Sequence, residues 1–367
     1  YFMKTEEIIL NNFQLKYPLE RLALLSDILF LDIETTGFLT GSSSIYLIGC
    51  AYYEDGNWKL RQWFAQTPDE ESEILSAFLA EPYSYLIHYN GNTFDLPFLR
   101  KKADKYGISY TLSSKKGLDI FRRITPYKNF LKLPDCKLKT IESFLGIHRE
   151  DIYTGGQLIQ VYHDYTSSHD YDLYHTLILH NADDMKGMLE TLPILSYYDL
   201  FNCSIKASKA QTNYYNDMHG VPRKELIIRL IFVSPLPVAI SFMGKGCHFK
   251  AEGYEGTLVI PIYEEELKYY YANYKDYYYL PLEDTALHKS IASFVDKDYR
   301  EQATARNCYT RKISLYLPQW KVMVEPFFKR DYDSKDLFFE LTDDIKKDRQ
   351  LFSDYASHVL NAIAFQD

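Results

Sequence analysis

The segment FLDIETTG carries two acidic side chains two residues apart, Asp32 and Glu34. Residues i and i+2 of a β-strand share one face, so both carboxylates can bind the same cation if this segment is a strand. The preceding residues 28–31 are all apolar, which is typical of a strand inside a sheet. A Thr-Thr-Gly sequence follows, so the acids lie near the carboxyl end of the strand, where open α/β sheets place their sites.

Two further segments carry polar residues at informative positions. In YNGNTFDLPFL, Asp95 begins a predicted helix directly after a short predicted strand, 85–89. On its own such an acid is more typical of a helix start stabilised by the helix dipole. In HNADD, His180 and Asp184 lie four residues apart on a long predicted helix, so they occupy one face. A polar pair on an otherwise apolar face needs a partner, and a metal ion would supply one.

The surrounding pattern predicts the elements that position these residues. The predicted strands cover 27–34, 45–53, 58–65 and 85–89, and the predicted helices cover 69–79, 94–106, 138–145, 157–165 and 172–192. A meander of strands followed by alternating strands and helices predicts an α/β arrangement with a mixed sheet flanked by helices.

Beyond about residue 201, Gly, Pro and Tyr become frequent and apolar runs shorten, which predicts a second, α+β domain of unreadable function. Its predicted strands are 258–263 and 277–282, and its predicted helices are 285–299 and 353–364. Its many tyrosines favour sheet packing over base stacking. We therefore predict an N-terminal extension over 1–24, a first domain over 25–200 and a second over 201–367.

Charge is distributed unevenly along the chain, whose net charge is −9. Residues 1–200 hold 19 basic and 27 acidic side chains, yet residues 115–139 hold eight basic side chains against two acids, Asp119 and Asp135. This stretch lies between the second and third acidic segments, which favours a phosphate-binding role slightly over a merely solvated face. Asp119 lies two residues after Gly117 and is interpreted as a turn acid rather than a metal ligand.

Other classes of protein are disfavoured by composition. The five cysteines are scattered and never spaced C-x-x-C, so neither a disulfide framework nor a zinc site is predicted. No apolar run approaches the ~20 residues of a membrane helix, and no secretory signal is recognisable. We expect a cytoplasmic protein without a membrane partner; the oligomeric state is not predicted.

The four acids occur in the order strand, strand, helix start, long helix, and this order resembles the DEDD-type 3′–5′ exonucleases of the ribonuclease H-like superfamily. FLDIETTG resembles the first motif, NGNTFDLPFL the second and HNADD the third. The overall likeness is greatest to bacterial YprB-like ribonuclease H-like proteins, whose linking region resembles residues 137–156. The resemblance covers about residues 25–200 and implies a ribonuclease H-like mixed sheet.

The resemblance also implies the chemistry. Two Mg²⁺ or Mn²⁺ ions would be held by Asp32, which would bridge both, by Glu34 and Asp184, and by Asp95 largely through water; hard oxygen ligands suit these cations. His180 would act as general base, although the family places a tyrosine at its spacing, four residues before the last Asp. A purely structural role for His180 is almost as well supported. Nucleic-acid contacts are expected from Thr35, Asn90, Phe94, Arg122, Arg123 and Lys137.

The predicted function is a metal-dependent 3′–5′ exonuclease that hydrolyses single-stranded DNA or RNA ends by a two-metal-ion mechanism. Two alternatives remain open at the level of sequence. The same site could cut internally, as an endonuclease. The fold could also serve as a catalytically inactive module that binds nucleic acid or protein.

Overall fold

The computed structural model describes residues 3–110, 116–148 and 155–365. The chain forms two compact units: the first comprises Tyr1–Asp199 with Leu236–Val238, and the second comprises Leu200–Pro235 with Ala239–Asp367. The predicted division into domains with those particular bounds stays a prediction.

The first unit alternates strands and helices. Its strands are β1 (Lys4–Leu10), β2 (Ile28–Thr35), β3 (Ile45–Glu54), β4 (Asn57–Phe64), β5 (Tyr85–His88) and β6 (Lys116–Asp119). Its helices are α1 (Glu71–Leu79), α2 (Asp95–Tyr106), α3 (Ile120–Ile124), α4 (Leu138–Leu145), α5 (Gly155–Ser168), α6 (Tyr171–Glu190) and the start of α7 (Leu195–Asn202).

These strands form one mixed sheet in the order β1-β4-β3-β2-β5-β6. The pairs β1–β4, β4–β3 and β3–β2 are antiparallel. The pairs β2–β5 and β5–β6 are parallel. β2 therefore lies at the middle of the sheet, as its apolar residues predict. The predicted mixed sheet flanked by helices is confirmed.

The two faces of the sheet are covered by different helix pairs. Leu29, Leu31 and Ile33 of β2 pack in a buried cluster with apolar residues of α1 and α2. On the opposite face, Tyr46 and Phe64 pack against apolar residues of α5 and α6. Because side chains alternate along β2, Asp32 and Glu34 lie on the face that α6 covers.

Two further details of the first unit concern its N-terminal strand and the ends of two helices. Residues 4–10, placed by the prediction in an extension before the first domain, form the edge strand of the sheet and pair with β4. Gly107 and Gly146 follow α2 and α4 in left-handed conformations, with φ of 68° and 73°. A left-handed glycine is a common helix end, so these two residues terminate the helices.

The second unit contains two further sheets and later helices. The strands are β7 (Lys206–Asn216), β8 (Pro222–Gly244), β9 (Cys247–Tyr270), β10 (Tyr277–Leu280), β11 (Thr285–His288), β12 (Glu301–Gln302), β13 (Tyr309–Gln319), β14 (Phe327–Phe328) and β15 (Leu337–Glu340). One sheet has the order β14-β15-β13-β9-β8-β7 and the other has the order β11-β10-β12. The helices are α8 (Lys289–Ala292), α9 (Asp343–Lys347) and α10 (Arg349–Ala364).

One predicted helix of this unit is wrong. Residues 285–299 were expected to be helical, but Thr285–His288 pairs antiparallel with Tyr277–Leu280 and helix is confined to short turns after it. Pairing with a neighbouring strand outweighs the weak local preference for helix. Within the described ranges, helices that are both long and apolar enough to cross a membrane are absent.

Candidate metal centre

Strand β2 places two carboxylates on the face below α6. Asp32 lies opposite Gly49 of β3, and Glu34 lies opposite Leu47. The register shifts immediately after Glu34, between Glu34 and Thr35. Asp32 is half-buried and Glu34 is buried, so both carboxylates sit in a partly desolvated environment at the end of the apolar run.

Helix α6 places His180 and Asp184 next to the carboxylates of β2. The His180 Nε2 atom lies 3.6 Å from Glu34 Oε1 and 3.7 Å from Asp184 Oδ2. His180 is buried, whereas the Asp184 side chain is 22% exposed. The predicted placement of His180 and Asp184 on one helix face, next to the β2 carboxylates, is therefore observed.

The first turn of α2 brings in Asp95 from the other side of β2. Its Oδ1 atom accepts a hydrogen bond of 3.1 Å from the backbone N–H of Ile33, the residue between the two β2 acids. Asp95 is buried. Thus three separate elements bring four carboxylates to the end of β2.

Burial raises the pKa of two of these carboxyls, and crowding raises one of them further. Burial raises the pKa of Asp32 well above its usual range, and the negative charges of Glu34, Asp184 and Asp95 raise it further. Burial raises the pKa of Asp95 to about 7, against the opposing effect of its backbone hydrogen bonds. A divalent cation among these groups would offset both effects.

The donor set fits such a cation. Glu34, His180 and Asp184 each offer a ligand atom within 4.8 Å of the others. Carboxylate oxygens predominate, and they are the ligands that Mg²⁺ and Mn²⁺ prefer. Asp32 and Asp95 add further carboxylates beside this cluster.

A residue that sequence reasoning missed lies between the sheet and α6. Asn181 is completely buried, and its Nδ2 atom donates a hydrogen bond of 2.8 Å to Asp32 Oδ2. A sequence signal existed, because Asn181 lies three residues before Asp184 and so shares its helix face.

The loop between β5 and α2 is held by Asp119. The carboxylate of Asp119 accepts hydrogen bonds from the backbone N–H groups of Asn90 and Asn92, at 3.0 and 3.3 Å. It also caps α3 by accepting from the Arg122 N–H. These bonds agree with its interpretation as a turn acid.

The residues predicted to contact nucleic acid take different positions. The Thr35 hydroxyl donates to the Gly37 carbonyl, Asn90 adopts a φ of 61°, and Phe94 lies just before α2. Arg122 is exposed beside Asp119, with its Nε 4.0 Å from Oδ2. The part of the basic stretch at residue 115 lies outside the described residues.

The other two basic residues differ in how they are held. Arg123 stacks over the Tyr198 ring at 4.4 Å. The Lys137 side chain is 81% exposed, and the preceding carbonyl, that of Cys136, accepts a hydrogen bond from the Tyr89 hydroxyl. Arg122 and Lys137 are therefore connected to the loop that leads to Asp95.

An exposed apolar pair that follows β2 was also missed. Phe38 and Leu39 are 74% and 72% exposed, only a few residues beyond Glu34. The Phe38 ring lies 6.3 Å from that of Phe94. No sequence signal identified this pair, since the exposure of a single apolar residue depends on the fold.

Comparison with known families concerns this same part of the chain. Residues 29–193 match the sequence model of a family described as RNase_H superfamily. The first unit has a ribonuclease H-like fold. The match includes all four carboxylates and ends after α6, so the second unit lies outside it. No curated protein matches the chain.

Solved structures with some similarity include the family B DNA polymerase from Pyrobaculum calidifontis, at 10% identity and a TM-score of 0.36. Others are E. coli exonuclease I bound to single-stranded DNA with zinc, and bound to a dA16 oligonucleotide, both at 14% identity with TM-scores of 0.27 and 0.26. These alignments cover 66% of this chain for the polymerase and 57% for the exonuclease. The chain spans 33% of the polymerase and 55% of the exonuclease, and such distant similarities carry no argument about activity.

Proposed function

We propose that the ribonuclease H-like unit is a DEDD-type 3′–5′ exonuclease, related to the YprB-like proteins, that removes nucleoside monophosphates from single-stranded DNA or RNA ends. The observation that carries this proposal is the convergence of Asp32, Glu34, Asp95 and Asp184 from β2, α2 and α6. A structural role alone explains such a cluster poorly, because the carboxylates repel one another.

In this proposal the four carboxylates hold two Mg²⁺ or Mn²⁺ ions. Bound ions would activate the attacking water and stabilise the leaving 3′ oxygen of an in-line displacement. The protein's own part is to keep the carboxylates ionised and oriented. The backbone N–H of Ile33 orients the Asp95 carboxylate and favours its ionised form, which partly opposes the effect of burial.

His180 faces two of the proposed ligands through a single nitrogen, Nε2. From there it can accept a proton from a water held beside Glu34 and Asp184, which is the work of a general base. The same position also lets it act as a ligand. A conservative test separates the roles, since His180→Gln keeps a polar group but removes the titratable nitrogen.

The substrate is proposed to approach over the loop before α2. Arg122 and Lys137 present exposed positive charge there, which suits phosphates. Phe38 and Leu39 offer exposed apolar surface beside Phe94, the residue that precedes Asp95, and a terminal base can stack there.

The test uses single-stranded oligonucleotides labelled at the 5′ end and incubated with the full chain and Mn²⁺. Stepwise shortening from a free 3′ hydroxyl is expected, together with its loss in EDTA and in Asp32→Asn. The matched control is Glu252→Gln, which removes an exposed charge of the second unit and should leave shortening intact. Shortening that survives Asp32→Asn would contradict the proposal.

Two further substrates separate the alternatives. A circular single strand is resistant to an exonuclease and is cut by an endonuclease. An inactive binding module would leave every substrate intact. Calorimetry would then show the same Mn²⁺ binding for the wild type and for Asp184→Asn.

A further inference from the structure

A buried chain of side-chain amides ends on Asp32. Asn181 of α6 is fully buried and donates to Asp32 Oδ2 at 2.8 Å, and its own Oδ1 accepts a hydrogen bond of 2.9 Å from Gln62 Nε2. Gln62 of β4 is also buried, at 1% exposure. The metal-site carboxylate is thus connected to a strand two positions away in the sheet.

Gln62 determines which way the Asn181 amide points. Its Nε2 atom donates both to Asn181 Oδ1 and to the Ile178 carbonyl, each at 2.9 Å. If Gln62 were flipped, its oxygen would face these two acceptors. With Gln62 in place, Asn181 must turn its own N–H toward Asp32.

The orientation of Gln62 leaves one of its own polar atoms without a hydrogen bond. In the described part of the chain, the buried Gln62 Oε1 atom has no hydrogen-bond partner. Leaving a buried acceptor unsatisfied is unfavourable. A strand residue kept in such a position needs a compensating role, and its two donated bonds provide one.

Gly49 makes room for the amide. It lies directly opposite Asp32 on one side and Gln62 on the other, at the centre of the sheet. A Cβ atom added at Gly49 would lie 2.0 Å from Asn181 Oδ1. The absence of a side chain therefore allows Asn181 to rest on the sheet between Gln62 and Asp32.

We infer that Asn181 is a positioning residue that holds the Asp32 carboxylate for metal binding. Gln62 orients the Asn181 amide, and the absence of a side chain at Gly49 leaves room for it. The inference rests on the proposed function, because it assigns Asn181 a part in the same site. Asn181 offers Asp32 an N–H donor where Glu34, Asp184 and Asp95 offer only negative charge. The donor steadies one oxygen, Oδ2, and leaves Oδ1 for a cation.

The first experiment measures Mn²⁺ affinity by calorimetry on the full chain, so that the readout does not depend on turnover. Asn181→Leu keeps the size of the side chain and removes its donor. Loss of an outer partner of a metal ligand typically lowers affinity by about 10- to 100-fold, and we expect a loss in that range. On oligonucleotides, kcat should fall while KM stays within about twofold, because substrate contacts are elsewhere.

Two further variants keep the inference testable if Asn181→Leu does not fold. Gln62→Met retains the bulk of Gln62 but no longer orients the Asn181 amide, so a smaller loss of Mn²⁺ affinity is expected. Gly49→Ala should also lower affinity, because its Cβ atom would displace Asn181. In a chain that already carries Asn181→Ala, whose own loss of affinity remains, Gly49→Ala should cause little further loss. Additive losses in this double-mutant cycle would contradict the inference.

The outcomes distinguish the inference from the function on which it rests. If the wild-type chain neither binds Mn²⁺ nor shortens oligonucleotides, the proposed function is wrong. If the wild type does both and folded Asn181→Leu retains its Mn²⁺ affinity within about threefold, well short of the loss expected for a missing outer partner, the positioning role of Asn181 is wrong while the function stands.

Discussion

Replacing Asp95 by asparagine is predicted to stabilise the metal-free protein above neutral pH and to abolish metal-dependent cleavage. Asp95 is buried, and burial raises its pKa to about 7. The folded pKa lies above the unfolded value, so the contribution of Asp95 to stability is greatest at low pH and is lost as the pH rises from about 4 to about 7.

The size of the effect follows from these two pKa values. A folded value of about 7 against about 3.9 in an unfolded chain corresponds to about 4 kcal/mol lost at pH 8 and less than about 2 kcal/mol at pH 5. Asp95→Asn retains an oxygen that can accept from Ile33 N–H but adds a buried amide donor. We therefore expect a net gain of about 2–3 kcal/mol at pH 8.

The assay is urea denaturation of wild type and Asp95→Asn in EDTA at pH 5 and pH 8, with Glu252→Gln as the control for removing an exposed charge. Adding Mn²⁺ at pH 8 should stabilise the wild type far more than Asp95→Asn. The reasoning is refuted if Asp95→Asn is no more stable than wild type at pH 8, or if its advantage is the same at both pH values.

Three other predictions concern activity. Asp184→Asn should lower the rate of cleavage at least about 100-fold, since it removes a proposed metal ligand. The adjacent Asp183→Asn should change the rate less than about threefold, because the Asp183 Oδ1 atom faces Lys186 Nζ, at 3.8 Å. Phe38→Ala should raise KM for single strands about tenfold, in line with the loss of one stacked base; an unchanged KM in steady-state kinetics would exclude that contact. Neutralising Arg122 and Lys137 together should weaken binding and reduce the magnitude of the slope of log K against log salt by about 1.4, since each phosphate contact on a single strand contributes about 0.7. Fluorescence anisotropy between about 50 and 200 mM salt measures this slope, and an unchanged slope would place the substrate elsewhere.

The local geometry of the site was predictable because it depends on short spacings. Two residues along a strand placed Asp32 and Glu34 on one face, and four residues along a helix did the same for His180 and Asp184. The apolar run before Asp32 predicted a central strand, and the structure places it there. Both periodicities are properties of the backbone alone.

Contacts between residues that are far apart in the sequence could be found only in the folded chain. The hydrogen bond from Ile33 to Asp95 and the bond from Asn181 to Asp32 join residues 62 and 149 positions apart. A glycine inside an apolar strand often marks the close approach of another group, so Gly49 did hint at Asn181. The partner itself could not be identified without the packing of α6 on the sheet.

The second unit was harder to predict because the burial of its long strands alternates without a matching alternation of apolar and polar residues; Ile231 and Val233 of β8, for example, are exposed. The predicted strand 258–263 covers only the most apolar part of Cys247–Tyr270. The three glutamates at 264–266 obscure the continuation of this strand in the sequence. In the structure they pair in regular register with residues 313–315 of β13.

The central claim is that Asp32, Glu34, Asp95 and Asp184 form one metal site. Anomalous diffraction from crystals of the full chain soaked in Mn²⁺ tests it most directly. Two peaks are expected among these carboxylates, with Asp32 contacting both ions and Asn181 still donating to its Oδ2. An ordered site without manganese, or manganese bound only elsewhere on the chain, would contradict it.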